Sequence, residues 1–324
     1  MNPTSLQEVF KMRVNDIHTH GIGGYDTRSG KAEDILRIAE IFGFQGVSEI
    51  ILTIYPSTIK TMRENMMAVR KAMERQHSAF RNPQSASPPI THNASRINGI
   101  HLEGPFLNPL KCGALNARSF IEATEYNFKK LIEGFEDIVK IITIAPEIKG
   151  ALRLIKKITD MGIIVSMGHS DATFSEAEAG FKVGAKGITH IFNAMRSFHH
   201  REPGISGFGL LNKDIYIEVI ADPFHLHLKT LELIFRAKNP ERIIIVSDSV
   251  KETYSPLSPP YKGGAKGRVL RRGKAVTDNR GKLLGGSMTI IESPRRLIQM
   301  GFEKDIVLNC ITKNPERYLQ SPSL

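Results

Sequence analysis

Six residues able to hold a cation or move a proton stand at the ends of short apolar runs. Asp16-Ile17-His18-Thr19-His20 closes the first run and His101-Leu102-Glu103 the third. Gly168-His169 ends the fifth, Thr189-His190 the sixth and Val246-Ser247-Asp248 the eighth. In an extended chain, residues two apart share a face, so His18 and His20 can converge on one ion. A single histidine at a strand end is more often a hydrogen-bonded structural residue, and His-x-His alone is weak. His18, His20, Glu103, His169, His190 and Asp248 together, on five strand ends, form a pattern. Imidazole nitrogen with carboxylate oxygen suits Zn²⁺ or Fe²⁺, and a ligand set without thiolate suits a catalytic centre better than a structural one. Ser247-Asp248-Ser249 also has the composition of a helix N-cap. The five other polar residues aligned at that end favour the chemical role.

The elements that must position these residues are eight β-branched and apolar runs: Arg13–His18, Ser48–Ile54, Ile97–Glu103, Val139–Ala145, Gly162–Gly168, Gly187–His190, Ile215–Ala221 and Arg242–Asp248. Amphipathic segments such as Lys31–Phe42 and Gly150–Met161 separate most of them. Strands alternating with helices imply parallel βαβ units, and eight such units suggest a (β/α)8 barrel. Barrel active sites form at the C-terminal ends of the strands, where the six residues fall. Gln76–Asn98, rich in Ser, Pro and Asn, reads as a surface insertion on the opposite face. Glu252–Gly267 is a second irregular stretch, and Gly273–Leu284 reads as a hairpin with turns at Asp278-Asn279 and Arg280-Gly281.

The chain has 324 residues, 41% hydrophobic and 24% charged, an ordinary globular balance that excludes a disordered or collagen-like chain. It lacks an apolar run of the roughly 18 residues needed to span a bilayer. The net charge is +11. Between Tyr261 and Lys282, eight Lys and Arg stand against Asp278 alone, so that stretch carries most of the excess. The rest is near balance, so nucleic acid is not an expected partner and an anionic metabolite is. Cys112 and Cys310 are far apart and read as free thiols in a reducing, cytoplasmic setting. The first sixteen residues show no apolar leader core.

His-Leu-Glu-Gly-Pro-Phe (101–106), Met-Gly-His-Ser (167–170), Thr-His-Ile-Phe-Asn-Ala-Met (189–195), Ala-Asp-Pro-Phe-His (221–225), Ser-Asp-Ser (247–249) and Leu-Leu-Gly-Gly-Ser (283–287) resemble, in order, motifs of the N-acetylglucosamine-6-phosphate deacetylase family. That family belongs to the amidohydrolase superfamily of metal-dependent (β/α)8 barrels. The resemblance implies that Glu103, His169 and His190 hold the principal divalent ion, Zn or Fe. It implies that His18 and His20 match a pair that holds a second ion in some members, so one or two ions are expected. Asp248 would be the proton carrier. Substrate contacts would fall on Ala114, Leu115, Asn193, Ala194, His225, Leu284, Gly285 and Gly286, with Arg201 matching a phosphate-binding arginine. A homodimer and a phosphorylated amino sugar are the partners the resemblance suggests.

The chain departs from the pattern in two places. Cys112-Gly113-Ala114-Leu115-Asn116 has leucine where the family has a histidine near the scissile carbonyl, and leucine cannot donate a hydrogen bond to a developing oxyanion. His200 is a candidate to replace it. Only fifteen residues precede Asp16, so the reading is one barrel over 1–324 that lacks most or all of the family's small β-domain, with a basic hairpin at about 261–284. The resulting expectation is hydrolysis of the acetamide of N-acetylglucosamine 6-phosphate or a close epimer. The alternatives are a catalytically reduced sugar-phosphate binder, or an amidohydrolase acting on another N-acyl or cyclic amide.

Overall fold

The computed structural model describes residues 12–81, 93–253 and 275–320. All eight expected strands form: β1 (Asn15–Thr19), β2 (Glu49–Ile54), β3 (Arg96–Glu103), β4 (Val139–Ile144), β5 (Ile164–Met167), β6 (Gly187–Ile188), β7 (Tyr216–Ile220) and β8 (Ile243–Val246). They pair in parallel, in sequence order. The seam is closed by main chain: Asp248 N–H donates to the His18 carbonyl at 2.9 Å, and His20 N–H to the Ser249 carbonyl at 2.8 Å. The result is a barrel without free edges.

Helices α1 (Ala32–Phe44), α2 (Ile59–Arg81), α3 (Glu125–Ile132), α4 (Ala151–Asp160), α5 (Phe174–Lys182), α6 (Gly204–Leu211) and α7 (Leu228–Ala237) alternate with the strands. Each lays one face on the sheet, as α1 does with Ile35, Ile38 and Phe42 and α4 with Leu154, Ile155 and Ile158, all buried. Helices α8 (Glu292–Gln299), α9 (Lys304–Asn309) and α10 (Lys313–Gln320) follow β8.

The barrel interior changes character along its axis. One end is apolar, built from Ile17, Ile51, Ile141, Ile164, Ile244 and Tyr318, a residue brought in by α10. Tyr318 is fully buried, and a Cβ at Gly187 would lie 2.2 Å from its hydroxyl. The other end is polar and carries the candidate site.

The stretch from Gln76 to Asn98 is less irregular than its composition suggests. Helix α2 continues to Arg81, and Arg96–Asn98 already belong to β3. Gln76 is buried because its amide substitutes for a main-chain partner, donating to the Ser95 carbonyl at 2.8 Å and accepting from Ile97 N–H at 3.0 Å. Residues 82–92, and most of the stretch from Glu252 to Gly267, lie outside the described residues. The hairpin forms, with Val276–Thr277 antiparallel to Leu283–Gly285. Its cations from Lys262 to Lys274 also lie outside the described residues.

Candidate active site

The six polar strand-end residues meet at the polar end of the barrel. Glu103 Oε1 lies 3.0 Å from both His169 Nε2 and His190 Nε2, and these two nitrogens are 3.2 Å apart. Glu103 Oε2 faces His20 Nε2 at 3.2 Å. His18 Nε2 and His20 Nε2 each stand 3.5 Å from Asp248 Oδ1. Two triads of potential ligands result, Glu103-His169-His190 and His18-His20-Asp248.

The donor chemistry of these triads calls for a cation. His169 Nδ1 lies 2.9 Å from the Lys111 carbonyl, which can only accept, so Nδ1 carries the proton and Nε2 a lone pair. That lone pair points at the Glu103 carboxylate and at His190, where acceptors would repel one another unless a positive ion stood between them. His18 repeats the arrangement: Nδ1 pairs with Glu218 Oε2 at 2.9 Å, while Nε2 is buried without a hydrogen-bond partner. An outer carbonyl or carboxylate fixing the far ring nitrogen is the usual support of a metal-ligating histidine. The described residues therefore fit one divalent ion well and offer a second place beside it.

His101, two residues before Glu103, packs against the His18 ring with centroids 4.6 Å apart. Burial holds it neutral by lowering its pKa to about 3. Its Nε2 starts a chain through Thr143 Oγ1 (2.8 Å) to Thr189 Oγ1 (2.9 Å) that braces the strands behind the triads. Burial, reinforced by the charge of Glu103, pushes the Asp248 carboxyl up to about 8, so it holds a proton in the absence of an ion. Among the described residues, no helix starts directly after Asp248 for it to cap.

Five non-glycine residues have positive φ among the described residues: His169, His190, Phe192, Ala194 and Asp248. Such conformations are costly and cluster where geometry is imposed by function. Three of the five are members of the triads.

A cavity opens over this cluster. Its wall contains Ala114, Leu115, Asn193, Ala194, His225, Leu284 and Gly285, each expected at the substrate. Gly286 stands behind the wall, where its N–H donates to the Asp248 carbonyl at 2.7 Å. Arg201 is exposed and outside the wall. His200, the candidate replacement for the missing histidine, is also exposed and outside it, with its ring 4.2 Å from that of His199. His227 caps α7 by accepting from Lys229 N–H.

Sequence reasoning missed four residues at this site. Tyr55 stacks on His20 with centroids 3.7 Å apart and is covered in turn by the Arg28 guanidinium. Glu218 orients His18. Asp222 accepts from His225 Nδ1 and from both N–H and hydroxyl of Ser287. Lys282 lines the cavity. Glu218 was legible in principle: one acid inside the apolar run Ile215–Ala221 must find a buried partner. Tyr55 carried no comparable signal, because an aromatic residue at a strand end is commonplace.

Histidines and carboxylates gathered at the C-terminal ends of the strands of a (β/α)8 barrel are the layout of the metal-dependent amidohydrolases, the class to which the chain's relatives belong. The chain is 30% identical to N-acetylglucosamine-6-phosphate deacetylase of Bacillus subtilis, over 87% of its own length and 68% of that protein. It therefore belongs to the N-acetylglucosamine-6-phosphate deacetylase family. It is also 26% identical to N-acetylgalactosamine-6-phosphate deacetylase of Escherichia coli, over 94% of this chain and 76% of that one. The crystal structure of N-acetylglucosamine-6-phosphate deacetylase from Thermotoga maritima superposes with a TM-score of 0.75 at 25% identity, covering 95% of this chain and 78% of that one. No family model matches the chain. Among the described residues, no helix is long and apolar enough to cross a membrane.

Proposed function

We propose that this protein hydrolyses the acetamide of N-acetylglucosamine 6-phosphate, or of a close epimer, to acetate and the free amino sugar phosphate. The observation that carries the reading is the convergence of Glu103, His169, His190, His18, His20 and Asp248 beneath a cavity lined by Asn193, Ala194 and His225. Glu103, His169 and His190 would hold the principal ion, and His18 and His20 with Asp248 a second. Imidazole and carboxylate donors without thiolate favour Zn²⁺ or Fe²⁺. When bound, such an ion supplies Lewis acidity, bringing a water towards neutral pKa and polarising the amide carbonyl.

The chain's own residues do the rest. Asp248 takes the proton of the attacking water and delivers it to the amide nitrogen, because an amine is a poor leaving group as an anion. His225, held by Asp222, presents its other ring nitrogen for the sugar. Arg201 is retained as a phosphate contact on the strength of its His-Arg-Glu-Pro motif. The free thiols Cys112 and Cys310 support a reducing, cytoplasmic setting. One barrel over residues 1–324 and a homodimeric assembly remain part of the reading.

The test is amine release from acetylated sugar phosphates by the metal-replete protein. Asp248→Asn is expected to lower kcat by about 10²- to 10⁴-fold, and chelation to abolish turnover until Zn²⁺ or Fe²⁺ is restored. Inactivity on every N-acetyl-hexosamine phosphate, with metal bound, would refute the proposal. One observation favours a second reading: Leu115 lines the cavity and its side chain offers no hydrogen bond to a substrate. Ligand binding without turnover would support a sugar-phosphate binder of reduced activity.

A further inference from the structure

A phosphate on C6 lies across the sugar ring from the C2 acetamide. A protein that reads it from within the cavity needs a cation in the wall, away from the triads that face the reacting atoms. Among the described residues of that wall, Lys282 is the sole Lys or Arg.

Its place is set by main chain. Lys282 N–H donates to Asp278 Oδ1 at 3.0 Å, and its carbonyl accepts from Asp278 N–H at 2.9 Å. The strand then runs through Leu283, Leu284 and Gly285 to Gly286, which is hydrogen-bonded to the Asp248 carbonyl. Four residues of extended chain span about 13 Å at roughly 3.3 Å each. Lys282 thus belongs to the cavity, yet its backbone stands well back from the proton carrier. Its long, flexible stem suits an ammonium that reaches inward to a phosphate. Its charge acts on the Asp278 carboxyl, which is held low first by the main-chain N–H groups of Lys282 and Arg280 and then by the charges of Arg280 and Lys282. Asp278, its neighbour in the turn, already accepts from the main-chain N–H groups of Arg280 and Lys282.

We propose that Lys282 is a phosphate contact by which this protein prefers a 6-phosphorylated amino sugar to the unphosphorylated one. This assignment rests on the deacetylase reading above. It is separate from Arg201, which does not line the cavity.

The experiment compares N-acetylglucosamine 6-phosphate with N-acetylglucosamine in the metal-loaded full chain. Lys282→Ala is expected to lower kcat/KM about tenfold or more for the phosphorylated substrate, chiefly through KM. It should leave the unphosphorylated one within about twofold. Lys282→Arg should restore most of the loss, and exposed Lys182→Ala should change neither. Equal loss on both substrates would mean that Lys282 only shapes the hairpin, and no loss on either would remove it from recognition. Both results overturn the proposal. Calorimetric binding of glucosamine 6-phosphate separates its fate from that of the reaction. A wild-type protein that releases no amine, but whose affinity falls about tenfold on Lys282→Ala, refutes the deacetylase reading and keeps the contact. Unchanged affinity refutes the contact.

Discussion

Asp222 shows how one side chain ties the site together. Its Oδ1 accepts from the main-chain N–H groups of Phe224 and His225, and its Oδ2 from the N–H and hydroxyl of Ser287. His225 Nδ1 reaches both oxygens at 3.0 Å. Burial opposes the charge, but these donors outweigh it and hold the carboxyl down to about 2. The unfolded chain would titrate near 3.9. The carboxylate's contribution is therefore complete above about pH 4 and disappears as pH falls through 2. The gap corresponds to about 2–3 kcal/mol. Acid unfolding followed by circular dichroism should show a shallower loss of stability between pH 4 and 2 for Asp222→Asn than for wild type. An unchanged slope would mean that the carboxylate is not charged where the donors meet it.

The segment Leu283–Gly286 is the element on which the cavity wall depends. A Cβ at Gly286 would lie 1.9 Å from the Ser247 carbonyl oxygen, too close for any side chain. Gly286→Ala must push the segment off the Asp248 peptide, so both melting temperature and turnover should fall. Retention of both would show that the contact relaxes freely. The family motif marks Gly286 as a substrate contact, and its place against the Ser247 carbonyl separately requires it to be small. The strands were legible because their β-branched runs are buried on both faces, and His18 and His20 because a strand repeats every two residues. The end of α2 was not, since Gln76 is polar by composition but buried by its bonds to Ser95 and Ile97. Arg201 stood out through its motif alone, which records a neighbourhood in sequence and does not say which side chains reach the cavity.

At the scale of the molecule, the barrel is stoppered at the end opposite its chemistry. Tyr318 is fully buried beneath Gly187, far along the chain from the strands it fills. Tyr318→Ala should cost about 3–5 kcal/mol, read as a lower midpoint in urea, while KM at a permissive temperature stays near wild type. A selective rise in KM would instead connect the stopper to the cavity. The closing seam has a consequence in time. The His18 carbonyl meets its partner only when Asp248 exists, and synthesis at about 5–20 residues per second separates the two by roughly 10–50 s. Throughout that interval the nascent chain carries His18 and His20 with no Asp248 carboxyl beside them. On the proposed mechanism, a chain arrested before the eighth strand has no working centre, and hydrolysis waits until nearly the whole barrel has left the ribosome.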